Sequence, residues 1–339
     1  MPEGVTLTLV AVFGLAVLFD YINGFHDTAN AIATSVSTRA LKPAYAILLS
    51  AAANFVGALS GTAVAKTVGA GIITAPPEAH AGQVVVAAAL VGATAWNLFT
   101  WRFGIPSSSS HALIGGLMGA VAASVAATGD GDWQIDGIIL KVVVPLVSSP
   151  ILGLAIGFAL MVVLLNLFRR SNPRTVNDRF RRLQLVSASY MAFSHGSNDA
   201  QKTMGIMTLA LVSAGILKSF EVPLWVILLA AAAISMGTAA GGWRIISTMG
   251  RRVVKLDPVH GFAAETTAAS IILGASSLGM PVSTTHVISS AIMGVGASDR
   301  FSAVRWGIAG RILWAWILTI PASGAVAAVA WAVLRLALG

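Results

Sequence analysis

The sequence predicts an all-α polytopic membrane protein whose two halves repeat each other around interrupted helices. Three observations predict this. Of 339 residues, 56% are hydrophobic and 10% charged, with mean hydropathy +0.83, whereas a soluble domain carries about 25% charged residues. Apolar stretches of the roughly 20 residues needed to cross a bilayer recur along the whole chain. Two polar motifs of the first half return, in the same order, in the second.

The long apolar stretches lie near 5–22, 43–65, 81–101, 138–166, 223–249, 258–280 and 305–337, with shorter or interrupted ones near 27–38, 106–127, 184–194, 198–217 and 282–297. The strand alternation of an outer-membrane barrel is absent. The N-terminus, MPEGVTL, lacks the basic region of a signal peptide, so 5–20 reads as a mature helix. With no organelle-targeting pattern, the expected location is a plasma or bacterial inner membrane, crossed several times. The chain has no cysteine, which excludes disulfides, thiolate metal sites and cysteine nucleophiles.

The net charge of +8 is a topology signal rather than a sign of a nucleic-acid partner. FRRSNPRTVNDRFRRL at 168–183 sets six arginines against Asp178 and is expected to be a cytoplasmic loop, with membrane-lipid headgroups as neighbours. It divides the chain into a first transmembrane repeat, 1–167, and a second, 184–339. GRRVVK at 250–255 is expected on the same side, and GAGIITAPPEAHAG at 69–82, without Lys or Arg, on the other. GDGDWQID at 129–136 also reads as external, although a hairpin limited to 106–127 would return to the side of Arg102. Trp225, Trp243, Trp306, Trp314 and Trp316 are expected at the membrane interfaces.

The repeat carries the chemistry. GFHDTANAIA at 24–33 aligns with GSNDAQKTMG at 196–205, setting Asp27 over Asp199 and Asn30 over Lys202. PSSSSHALIGGLMG at 106–119 aligns with PVSTTHVISSAIMG at 281–294, setting Ser108, Ser109, Ser110 and His111 over Ser283, Thr284, Thr285 and His286. The offsets are 172 and 175 residues. Paired interruptions at matching places in two halves point to a transporter binding site.

A carboxylate at mid-bilayer costs at least about 2.5–3.5 kcal/mol, so Asp27 and Asp199 are expected to face a cavity or ion path. Asp27, Asn30 and Thr34 share one helix face, as do Asp199, Lys202 and Thr203. Carboxylate, amide and hydroxyl oxygens suit a hard cation such as Na⁺, and an aspartate can instead carry a proton. Lys202 can pair with Asp199, neutralise an anion, or replace a cation. Glu265 is a further intramembrane carboxylate assigned to cation coupling. Proline begins a helix readily, and the amides just after it form an anion site at the positive end of the dipole. Ser107, Ser108, Ser109, Ser110, Ser283, Thr284 and Thr285 add hydroxyl donors there. Two half-helix tips are therefore expected to converge on one anion. His26, His111, His195 and His286 are candidate proton relays. Asn54 and Asn97 read as inter-helix hydrogen-bonding residues.

GFHDTANAIATS and SHGSNDAQKTMG resemble the paired signatures of the inorganic phosphate transporter (PiT) family, and the two P-S/V-S-S/T-S/T-H segments resemble its re-entrant hairpins. The resemblance covers nearly the whole chain. It implies inverted repeats with two re-entrant helical hairpins, a homodimer, and movement of inorganic phosphate with a coupling cation and no other cofactor. It carries cation and phosphate roles onto Asp27, Asn30, Asn198, Asp199, Ser108, Ser109, Ser110, Ser283, Thr284 and Thr285. Two departures matter. His26 precedes Asp27, and Lys202 stands where sodium-coupled members have asparagine. This pattern is similar to that of proton-coupled bacterial members, which the resemblance implies also accept metal–phosphate complexes. The expectation is thus phosphate import by cation symport and alternating access, with H⁺ favoured over Na⁺ and no structural metal. A sulfate permease on the same scaffold is the nearest rival. An intramembrane serine hydrolase using Ser110 or Thr285 lacks the nucleophile elbow, and adjacent Ser110 and His111 point about 100° apart on a helix. A fixed pore fits repeated broken helices less well than alternating access does.

Overall fold

The computed structural model describes residues 6–74, 76, 78–241, 245–246, 248–249 and 253–338. Trp243 and the first three residues of GRRVVK lie outside these. Eleven helices run through the described residues: α1 Leu7–Ser37, α2 Pro43–Ala58, α3 Ala63–Ala70, α4 Ala79–Phe103, α5 Ser109–Thr128, α6 Ile135–Phe168, α7 Pro173–Ser213, α8 Leu224–Ala240, α9 Pro258–Ser277, α10 Thr284–Asp299 and α11 Trp306–Leu338. Five of them, α1, α4, α5, α6 and α11, are long and apolar enough to cross a membrane. The pair α2–α3, bent by 73°, makes a sixth span if counted as one. Leu48, Ile151, Val163, Leu167, Ile317 and Leu336 are exposed on the outside, the surface of a protein that meets lipid rather than water. The strands β1, Ile73–Thr74, and β2, Asp132–Trp133, are two residues each.

Both acidic signatures lie inside continuous helices, which corrects the expected interruptions at Asp27 and Asp199. α1 joins the stretches read as 5–22 and 27–38, and α7 joins 184–194 to 198–217. The signatures interrupt the hydropathy but not the backbone ladder, because their polar side chains are buried against other helices. α7 also takes in most of the stretch read as a basic loop. Pro173 opens it at a position whose missing N–H is not needed, and Asn172 accepts from Arg174 N at 2.9 Å.

The chain breaks instead at two hairpin tips, 104–108 and 278–283. The first hairpin is α4–α5, so 106–127 is only its returning arm. Its base is closed by antiparallel pairing of Ile73 with Trp133 and Thr74 with Asp132. The stretches 69–82 and 129–136 therefore share one end, and Arg102 sits by the tip. The second hairpin is α9–α10, whose base is closed by His260 Nε2 and Asp299 Oδ2 at 2.8 Å.

Packing follows an exchange symmetry. α1 packs on α8 as α7 packs on α2; α5 on α11 as α10 on α6; α4 on α1 as α9 on α7. Matching glycines make the approach possible. A Cβ on Gly24 would lie 2.2 Å from the Ile234 carbonyl oxygen, and one on its counterpart Gly196 would lie 2.2 Å from that of Asn54. Gly119 and Gly294 sit at 2.1 Å from the carbonyl oxygens of Gly324 and Leu154 in the same sense. Small residues at such crossings let helix backbones touch.

Of the expected interfacial tryptophans, Trp225, Trp306 and Trp314 are exposed to differing degrees. Trp316 is buried and stacks on His286 with ring centroids 3.8 Å apart, so it is a packing partner of the second hairpin.

Candidate functional site

The two hairpin tips meet. Ser110 Oγ donates to the Val282 carbonyl at 3.1 Å, and the His111 and His286 rings lie 4.6 Å apart, centroid to centroid. The helices start three residues later than the prolines suggest. Ser108 caps α5, accepting from His111 N at 3.2 Å, and Ser283 caps α10, accepting from His286 N at 3.2 Å. Pro106 and Pro281 precede the caps and lie outside the helices. Serine is favoured as a cap because its oxygen satisfies an otherwise orphaned amide. This corrects the reading of Ser108 and Ser283 as anion donors: their oxygens face their own helices.

The next hydroxyls reach the acids. Ser109 Oγ donates to Asp27 Oδ2 at 2.8 Å, and its counterpart Thr284 Oγ1 reaches Asp199 Oδ2 at 3.5 Å. The residue one turn beyond each acid crosses to the other half. Asn30 Nδ2 donates to Thr285 Oγ1 at 2.9 Å and to Thr284 Oγ1 at 3.3 Å. Lys202 Nζ donates to Ser110 Oγ, to Asp199 Oδ1 at 2.5 Å and to the Val282 carbonyl at 3.2 Å. Asn30 is the repeat counterpart of Lys202, and Thr285 of Ser110, so the crossing is reciprocal.

The remaining side chains brace this centre. His26 Nδ1 lies 2.6 Å from Asp27 Oδ1, and its Nε2 lies 3.1 Å from Thr100 Oγ1. Ser107 donates to Thr100 Oγ1 at 2.7 Å, and so belongs to this brace. Asn198 Nδ2 donates to Ser276 Oγ at 2.8 Å and to the Met280 carbonyl at 3.2 Å, holding the second tip. His195 places Nδ1 3.1 Å from Asn54 Oδ1 and Nε2 3.2 Å from Asp199 Oδ2. Asp27, His195 and Asp199 offer ligand atoms that all lie within 4.8 Å of one another, a donor set able to hold a cation between the halves. His286 is buried, with neither ring nitrogen hydrogen-bonded, and His111 Nδ1 is likewise without a partner. The Ser110 hydroxyl is taken by Lys202 and a carbonyl, with no hydrogen bond to His111.

Thr34 and Glu265 come together elsewhere. Thr34 Oγ1 donates to Glu265 Oε1 at 2.5 Å, Gln184 Nε2 to Oε1 at 3.4 Å, and Ser187 to Oε2. This is a separate, fully engaged carboxylate. Thr203 does not touch Asp199's ligands; it lies beside Asp20. Sequence reasoning missed Asp20, Asn23, Thr100, Gln184 and Ser187. Asp20 had a signal, a carboxylate within LAVLFDYIN two helical turns before Asp27.

The comparisons with known proteins agree on one family. The model of the phosphate transporter family matches residues 23–327. A probable low-affinity inorganic phosphate transporter of Bacillus subtilis (strain 168) is 49% identical over 97% of this chain and 98% of its own. One of Rhizobium meliloti (strain 1021) is 50% identical over 95% of each. Among solved structures, one described as the sodium-dependent phosphate transporter superposes with a TM-score of 0.88 at 26% identity, covering 98% of this chain and 100% of the other. With its two hairpins, its paired acidic signatures and its match over nearly the whole length, this chain belongs to the phosphate transporter family.

Proposed function

We propose that the protein imports inorganic phosphate across the cell's inner membrane by cation symport, with the anion held between the tips of α5 and α10. The observation that carries this reading is the meeting of those tips beside Asp27, Asp199 and Lys202. Two helix N-termini turn their positive ends to one point, and hydroxyls of Ser109, Ser110, Thr284 and Thr285 surround it. Phosphate accepts from these groups in place of their present partners. Asp27, Asn30, Asn198 and Asp199 bind or position the coupling cation. A metal–phosphate complex would set its metal against Asp27, His195 and Asp199.

The coupling ion we favour is H⁺. Lys202 fills with a fixed ammonium the place that Asn30 fills with an amide in the other half, so one cation position is permanently occupied. His26, His195 and the His111–His286 pair are the relay candidates. The two halves are inverted repeats, and alternation moves one hairpin tip relative to the other. We further propose a homodimer in the membrane, with the arginines of 169–182 against lipid headgroups.

The test is uptake of labelled phosphate into proteoliposomes with a pH gradient or a sodium gradient imposed separately. A pH gradient alone is expected to drive it, and uptake driven only by sodium reverses the assignment of the ion. Excess sulfate is expected to compete poorly; equal competition favours a sulfate permease.

A further inference from the structure

The repeat is broken at one buried acid. Asp20 has Ala192 as its counterpart, 172 residues on, and is 0% exposed. Asn23, one turn along α1, and Thr203 of α7 lie beside its carboxylate. Both oxygens of Asp20, both polar atoms of Asn23 and Thr203 Oγ1 are buried without a hydrogen-bond partner. Buried polar atoms are almost always paired, and here five orphans share one pocket between the two signature helices. Protonating Asp20 does not relieve them, since its new hydroxyl would find no acceptor in place.

We propose that Asp20, Asn23 and Thr203 form a binding site for a small monovalent cation, Na⁺, set apart from the phosphate centre. Carboxylate, amide and hydroxyl oxygens are the ligands hard cations take. Charge points the same way. Asp20, Asp27 and Asp199 are buried near a single ammonium, Lys202, which leaves two carboxylates uncompensated before any anion arrives. Isolated charges inside a membrane protein are paired or hold ions. Asp20 is also within electrostatic reach of both Asp199 and Lys202, so a cation there strengthens the positive side of the centre without occupying it.

The experiment is binding of ²²Na⁺ to the purified full-length protein, at fixed pH, without phosphate and without a gradient, so that its failure is separate from failure of the transport reading. The Asp27→Asn protein, which lacks a ligand of the central Asp27–His195–Asp199 cluster, is expected to bind sodium saturably. Adding Asp20→Asn should weaken that binding at least tenfold. Thr203→Ala, which keeps every charge, should weaken it severalfold and guards against a folding defect in the aspartate variant. Equal affinity with and without Asp20, no effect of Thr203→Ala, or no sodium binding by any form overturns the site and leaves water as its occupant.

Discussion

The two signature helices carry the same plan with different charge. In α1, Asp27 meets a neutral histidine–hydroxyl brace, and the crossing residue is an amide, Asn30. In α7, Asp199 meets an ammonium at 2.5 Å, and that ammonium makes the crossing contact. The hydroxyl that reaches each acid comes from its own half's hairpin, and the crossing bond goes to the other half's hairpin. Four contacts thus tie two helices and two tips into one unit. The difference teaches that the fold keeps the geometry by symmetry while the chemistry is set by a single substitution in it. One half can exchange its cation; the other carries its own.

The largest test of that contrast is Asp199→Asn against Asp27→Asn. Both are expected to reduce phosphate uptake to background while the protein remains in the membrane. Asp199→Asn alone strands a buried ammonium, and losing one partner of a buried pair costs about 3–5 kcal/mol. Thermal unfolding in detergent should therefore separate the two variants, and equal melting would deny the pairing its weight. The next test makes the halves alike. Lys202→Asn is expected to raise sodium-driven relative to proton-driven uptake by about tenfold, the size of one exchanged charge-assisted contact.

Smaller effects come from the tips. Ser109→Ala and Thr284→Ala each remove a hydrogen bond to a charged group, about 1.5–3 kcal/mol. Each should weaken phosphate binding, and the double variant should weaken it more than either alone, as read by equilibrium binding. The smallest effect belongs to the caps. Ser108→Ala and Ser283→Ala should lower stability by about 1 kcal/mol each with phosphate affinity nearly unchanged. A large loss of affinity there would return those hydroxyls to the anion.

The sequence carried the repeat plainly, because Asp27 with Asp199 and PSSSSH with PVSTTH are paired polar interruptions in apolar surroundings. It did not show which helices stay whole. Hydropathy falls wherever polar side chains face the interior, so α1 and α7 looked interrupted at the places where they are most buried. Periodicity also reports only one helix's face. It grouped Asn30 with Thr34, whereas Asn30 belongs to Thr285 across the molecule and Thr34 to Glu265. Ser108 and Ser283 could be told from Ser109 and Thr284 only once the helix starts were known. Asp20 was passed over because the repeat directed attention to residues with counterparts, and it has none. Gln184 and Ser187 lay at the edge of a stretch read by its arginines.

The most direct measurement is an experimental density map of the protein with phosphate bound. The account predicts density for the anion between the first turns of α5 and α10, within hydrogen-bonding distance of Ser109, Ser110, Thr284 and Thr285. Phosphate bound away from both tips, or the tips of the two hairpins separated by other helices, would contradict it.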